Sequence, residues 1–179
     1  MKISVFCSAS QELVSEYASL TEQLGRWFAA EGHTLVYGGV SNGLMECLAK
    51  TVHEAGGLTI GVIPQTVVRS GRLSQYVDVE ILCDNLSDRK ELMLEKSDIA
   101  IALPGGIGTI DEVFTMAASA TIGFHQKHVV LYNMNGFWDG LIRMLDDLQE
   151  KGAVRGSWRD HIQVANSLEE LAKLVQAES

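Results

Sequence analysis

The sequence predicts an α/β fold: a Rossmann-like, doubly wound parallel sheet with helices on both faces, in a single domain spanning residues 1–179. Three observations predict it. Short apolar runs alternate with amphipathic segments along the chain, the pattern of repeated βαβ units. Both prolines, Pro64 and Pro104, directly follow an apolar run. Glycine-rich loops, "GGVSNG" and "PGGIGT", open at the ends of two such runs, on the rim where these sheets bind ligands.

The elements follow in order. Ile3–Cys7 reads as the first strand. Glu12–Glu31 reads as a helix, because Leu13, Tyr17, Leu20, Leu24 and Phe28 recur at spacings of three and four, and Gly32 stops it. Thr34–Tyr37 is the second strand, and Leu44–Ala55 a helix closed by Gly56-Gly57. Thr59–Ile63 is the third strand, ended by Pro64. Gln65–Tyr76 is polar and carries Arg69 and Arg72, and reads as a helix or a mobile loop over the rim. Val77–Leu82 is the fourth strand, Leu86–Lys96 a helix, and Asp98–Leu103 the fifth strand. Thr109–Ile122 is a helix, His128–Tyr132 the sixth strand, Phe137–Glu150 a helix and Ile162–Ala165 a short strand. Ser167–Gln176 is the last helix, opened by a Ser-x-x-Glu capping box.

The length suits one domain with a substantial core. A formal net charge of -9 argues against nucleic acid and anionic membrane as partners, while leaving room for a small anion at a locally positive site. No apolar run approaches a membrane span, and the N-terminus is too briefly apolar for a signal peptide. Cys7, Cys47 and Cys83 form neither a CxxC pair nor a disulfide ladder, and read as buried thiols of a cytoplasmic protein. The histidines show no metal-ligand spacing, so no metal is expected.

Gly105, Gly106 and Gly108 let the backbone turn sharply and approach a ligand closely. A helix begins next, and its unpaired N–H groups and dipole favour an anion, usually phosphate. Ile107 lies within the loop, and Thr109 adds a hydroxyl donor. The alternative is a tight turn with nothing bound. The second loop, with Gly39, Ser41 and Gly43, favours binding. Glu112 has two readings as well. Thr109 to Glu112 fits a capping box, with Asp111 and Glu112 as acids of a first helical turn. Yet acids beside phosphate need either a compensating cation or a chemical task. Arg89 and Lys90 in "LSDRKELM" are the candidate cations.

Two familiar patterns mislead. "GVSNG", Gly39 to Gly43, matches the nucleophile elbow of serine hydrolases, but it follows too early a strand, and nothing brings Asp160-His161 near Ser41. A dinucleotide fingerprint belongs after the first strand, where this chain has "CSAS".

Pro104 to Glu112 matches PGGxGTxxE, and here the chain resembles the LONELY GUY (LOG) family. "VYGGVSNGLM", "EAGGLTIGVIP" and "RKELM" resemble further segments of that family, so the likeness covers most of the chain. It implies a cytokinin riboside 5′-monophosphate phosphoribohydrolase: a dimeric, cofactor-independent enzyme, often misnamed lysine decarboxylase. Such enzymes split an adenine-type nucleoside monophosphate into free base and ribose 5-phosphate. Carried over by position, Arg89 and Glu112 would be the catalytic pair. Gly106, Gly108 and Thr109 would hold the phosphate, with Lys90 adding charge nearby, and Gly105, Ile107, Asp111, Gly39, Ser41 and Gly43 would complete the substrate site. Val40, Glu46, Gly71 and Ala118-Ser119 depart from the family's pattern, around the base more than the phosphate. The related molybdenum-cofactor carriers share the glycine loop, so a non-catalytic carrier is the alternative. The helix from Val113 to Ile122 has no charged residue, which predicts burial on both sides, against the sheet and against a second copy in a homodimer.

Overall fold

The computed structural model describes residues 1–178. Its strands are β1 (Lys2–Phe6), β2 (Thr34–Tyr37), β3 (Leu58–Pro64), β4 (Val79–Cys83), β5 (Ile99–Ala102), β6 (Val129–Tyr132) and β7 (Ile162–Ala165). Its helices are α1 (Val14–Ala30), α2 (Gly43–Glu54), α3 (Gln65–Arg69), α4 (Leu86–Glu95), α5 (Ile107–Thr121), α6 (Asp139–Glu150) and α7 (Leu168–Ala177). The strands form one sheet of order β4-β3-β2-β1-β5-β6-β7, and every pairing is parallel. The chain winds outward from β1 to β4, then returns to the other side of β1 at β5. The carboxyl ends of β1 and β5 therefore border the topological switch point, the crevice where such sheets take ligands.

Strand residues alternate between two cores. Ile3, Val5, Leu35, Tyr37, Ile99 and Ile101 pack under α1, α2 and α7. Phe6, Val36, Val62, Ala100 and Ala102 pack with Met93 of α4, Val113 and Met116 of α5 and Leu145 of α6. Burial on both faces is why β5 and β6 read as unbroken apolar runs. On α1, Tyr17, Leu24 and Phe28 are buried as their spacing predicts, with Leu13 and Leu20 packed beside them. Among the described residues, no helix is long and apolar enough to cross a membrane.

Three local readings are corrected. Helix α5 starts at Ile107, not Thr109, because Gly106 occupies the cap position. At α7, Ser167 accepts from the Glu170 amide, but the Glu170 carboxylate reaches the Asn166 N–H instead of the cap residue's own, so the box is half formed. A complete box stands at Ser157 and Asp160. The segment after Pro64 forms the short helix α3 and then a strap tied to the first glycine loop. Its bonds run from Ser41 N–H to Arg72 O (2.8 Å) and from Ser74 N–H to Gly39 O (2.9 Å). Within the single chain, α5 is covered on its sheet side at Val113, Met116, Ala117 and Ala120, while Ala118 and Thr121 face outward, on the side the sequence reading assigns to a second copy.

Candidate active site

The loop after β5 puts a helix tip at the switch point. Gly105 is buried, and a Cβ there would lie 2.1 Å from Thr109 Oγ1, so its bareness makes room for the threonine side chain. Gly106 and Gly108 are exposed, and a Cβ on either would meet nothing within 4 Å. Ile110 donates the first helical hydrogen bond, to Gly106 O at 3.0 Å. The preceding amides, of Ile107, Gly108 and Thr109, stand at the open end of the helix. The Ile107 side chain points into solvent at 89 % exposure. The tip thus offers backbone donors and a positive dipole end with no side chain in front of them.

Glu112 lies one turn further on and is 8 % exposed. Since α5 begins at Ile107, Glu112 falls beyond its first turn and cannot serve as the box partner of a cap at Thr109. It meets Arg89 instead, with Arg89 Nη2 3.3 Å from Glu112 Oε1. Asn85 caps α4 by accepting from the Ser87 and Asp88 amides, which places Arg89 in the second turn and turned toward α5. Gly38, at the end of β2, leaves space for the guanidinium: a Cβ there would sit 2.2 Å from Arg89 Nη2. Arg89 Nε is buried without a partner, so the arginine retains an unused donor. Burial pushes the Glu112 carboxyl above its ordinary value, while Arg89 pulls it back down. The neighbouring Cys7 thiol is pushed up by burial and then by Glu112, so it stays protonated and inert.

Arg89, Glu112, Gly106, Gly108 and Thr109 line one cleft of about 270 Å³ together with Cys7, Ser8, Ala9 and Met45. The last four, and the role of Gly38 in making room for Arg89, escaped sequence reasoning. For Cys7, Ser8 and Ala9 the only signal was position, beyond the end of a strand that flanks the switch point, and Met45 lies in the first turn of α2.

Lys90 and Asp111 sit apart from this cleft. Lys90 Nζ donates to both Asp111 oxygens (2.9 and 3.0 Å) and to Thr115 Oγ1 (3.1 Å), clamping α4 to α5. The two consecutive acids therefore have separate partners: Asp111 takes Lys90, and Glu112 takes Arg89. Gly39, Ser41 and Gly43 also lie outside the cleft lining. Gly39 and Gly43 have positive φ (69° and 60°), and a Cβ at Gly43 would lie 2.5 Å from the Ala9 carbonyl carbon. This loop shapes the rim and supports Ala9. Asp160 and His161 precede β7, where His161 O accepts from Val129 N–H at the start of β6. That is the amino end of the sheet, opposite the rim that carries Ser41, so no serine triad assembles. No group of three or more metal-ligating side chains exists among the described residues.

Fold and cleft together define a Rossmann-like α/β protein with an anion-ready helix tip and a buried glutamate–arginine pair at its switch point. Residues 45–175 match the family described as "Possible lysine decarboxylase". The chain is 34% identical over 175 residues to cytokinin riboside 5′-monophosphate phosphoribohydrolase LOG3 of Arabidopsis thaliana, covering 98% of this chain and 81% of that one. It is 33% identical over 168 residues to the cytokinin riboside 5′-monophosphate phosphoribohydrolase of Mycobacterium tuberculosis, covering 94% and 89%. The chain belongs to this LOG family. Among solved structures, it resembles the molybdenum cofactor binding protein of Rippkaea orientalis, with a TM-score of 0.75, 26% identity and coverage of 98% and 95%. It also resembles the molybdenum cofactor carrier protein of Chlamydomonas reinhardtii, with a TM-score of 0.72, 26% identity and coverage of 99% and 96%.

Proposed function

We propose that this protein is a nucleoside 5′-monophosphate phosphoribohydrolase. It hydrolyses the N-glycosidic bond of AMP or a cytokinin riboside monophosphate to free base and ribose 5-phosphate. The observation that carries this reading is the buried Glu112–Arg89 pair one helical turn behind the open tip of α5. A 5′-phosphate on that tip sets its ribose against Glu112.

Water adds to C1′, and the C1′–N bond breaks with its electron pair leaving on the base, which takes up a proton. The transition state carries positive charge on the ribose, as an oxocarbenium-like species. The Glu112 carboxylate stabilises that charge, orients the sugar hydroxyls and accepts the water proton. Arg89 pulls the Glu112 carboxyl down against the larger upward push of burial, and offers its unused Nε–H to substrate. The name lysine decarboxylase finds no fit: no lysine lines the cleft, and Lys90 is engaged by Asp111 and Thr115.

The reading extends to assembly. Ile107, Ile122 and Phe124 are exposed around α5 at 89 %, 71 % and 79 %. Beside them runs a groove of about 470 Å³ lined by Phe114, Ala117, Ala118, Trp158 and Ile162. An apolar surface of this kind supports a homodimer through α5. Free Cys7, Cys47 and Cys83 support a cytoplasmic location.

The test is incubation with AMP and with isopentenyladenosine monophosphate, with chromatography for free base. Release by the wild type and its loss in Glu112→Ala are expected. Undiminished release in that variant removes Glu112 from the mechanism. Binding without release of base from any nucleotide favours a non-catalytic carrier, the reading suggested by the likeness to the molybdenum-cofactor proteins.

A further inference from the structure

Of the side chains lining the cleft, Ser8 has no task in the mechanism above. It follows β1, at the strand end that borders the switch point opposite α5. Its backbone is held on both sides: Ser8 N–H donates to Pro104 O at 3.1 Å, and Ser8 O accepts from Leu44 N–H at 3.0 Å. These bonds tie Ser8 to the start of the glycine loop and to the first turn of α2. Its hydroxyl oxygen accepts from the Ser10 N–H at 3.0 Å. That bond uses a lone pair and orients the oxygen, while the hydroxyl proton finds no acceptor among the described residues. A rigid donor with a spare proton therefore faces the same space as the Gly106 and Gly108 backbone. Arg89, the other strong donor there, is turned to Glu112.

We infer that Ser8 is a substrate-binding residue whose Oγ–H donates to the 5′-phosphate of the nucleotide, forming the wall of the anion seat opposite the tip of α5. The inference rests on the reading of the cleft as a nucleoside-monophosphate site. It divides the labour: Ser8 and the α5 amides hold the dianion, and Arg89 and Glu112 serve the sugar.

The test uses the full chain, with ribose 5-phosphate binding measured by titration calorimetry and AMP hydrolysis measured in parallel. A hydrogen bond to a charged group predicts that Ser8→Ala weakens ribose 5-phosphate binding by roughly tenfold or more and raises KM for AMP similarly, with kcat largely kept. Ser8→Asp retains an acceptor for the Ser10 N–H, so the turn is preserved, but it puts a negative charge in the seat. It is expected to bind ribose 5-phosphate more weakly than Ser8→Ala, and Ser8→Thr, which keeps the hydroxyl, is expected to retain binding. Wild-type affinity in Ser8→Asp overturns the inference, as does a loss of kcat with unchanged binding in Ser8→Ala. If the wild type releases no base but Ser8→Asp still loses ribose 5-phosphate, the hydrolase reading fails and the role of Ser8 stands.

Discussion

Gly38→Ala is the sharpest probe of the catalytic pair, because it displaces the Arg89 guanidinium without substituting Arg89, Glu112 or any residue of the phosphate tip. A Cβ at position 38 would lie 2.2 Å from Arg89 Nη2, 3.1 Å from Cζ and 3.4 Å from Met45 Sδ. Real Cβ contacts essentially never fall under 3.0 Å, so the guanidinium must retreat by about 0.8 Å at least. The backbone tolerates alanine here, since Gly38 is not among the residues of positive φ. The change also narrows the unfolded ensemble, so folding stability is expected to stay within about 1 kcal/mol of wild type. The ion pair, now 3.3 Å, is stretched or re-aimed. A misplacement of this size at a reacting centre costs roughly 100-fold in rate. Arg89 also restrains the upward shift that burial imposes on Glu112, so its retreat lets that pKa rise further. The acidic limb of the kcat profile should then move to higher pH. Steady-state kinetics on AMP across pH, with a melting curve for each protein, checks both effects. A variant with wild-type kcat and an unmoved acidic limb would refute the reasoning.

Other outcomes follow from the same geometry. Glu112→Gln should lose turnover yet melt higher than wild type at pH 7. Burial raises the folded pKa of Glu112 above its unfolded value, so its stabilising protonated form is lost as pH rises; the two melting curves should converge below about pH 4, where wild-type Glu112 is protonated as well. Gly108→Ala should preserve or raise the melting temperature, since its Cβ meets nothing and alanine favours the helix by about 1 kcal/mol, but it should weaken ribose 5-phosphate binding. Gly105→Ala, colliding with Thr109, should instead destabilise by about 1–3 kcal/mol in chemical denaturation. Gly43→Ala combines a positive φ with a clash against the Ala9 backbone; a loss of about 1–3 kcal/mol, or roughly 2–4 °C in Tm per kcal/mol, is expected by calorimetry. Phe124→Asp should convert a dimer to a monomer in light scattering if the exposed face of α5 is the interface.

The strands and most helices were legible in the residues because buried parallel strands must be apolar and helices that cover them must repeat every three to four positions. The glycine tip was legible for a similar reason: three glycines beside a proline at a strand end have few other uses. The helix start was misplaced by two residues because Thr109 has a good cap side chain. The backbone instead caps at Gly106, and Thr109 tucks beneath Gly105. Lys90 and Arg89 are adjacent in sequence and both basic, yet only Arg89 reaches the cleft. A helix turns successive side chains by about 100°, and the packing of α4 against α5 decides which one faces Glu112.

By itself the sequence determined the order of strands and helices, their parallel winding and the presence of an anion-ready loop, since these depend on periodicity and on backbone freedom at particular positions. Tertiary structure alone decided that β1 and β5 lie side by side, that Gly38 opens a space for Arg89, and that Ser8 lines the same cleft as the tip of α5. Those pairings join segments remote along the chain, and a local pattern carries no record of which distant surface packing will set against it.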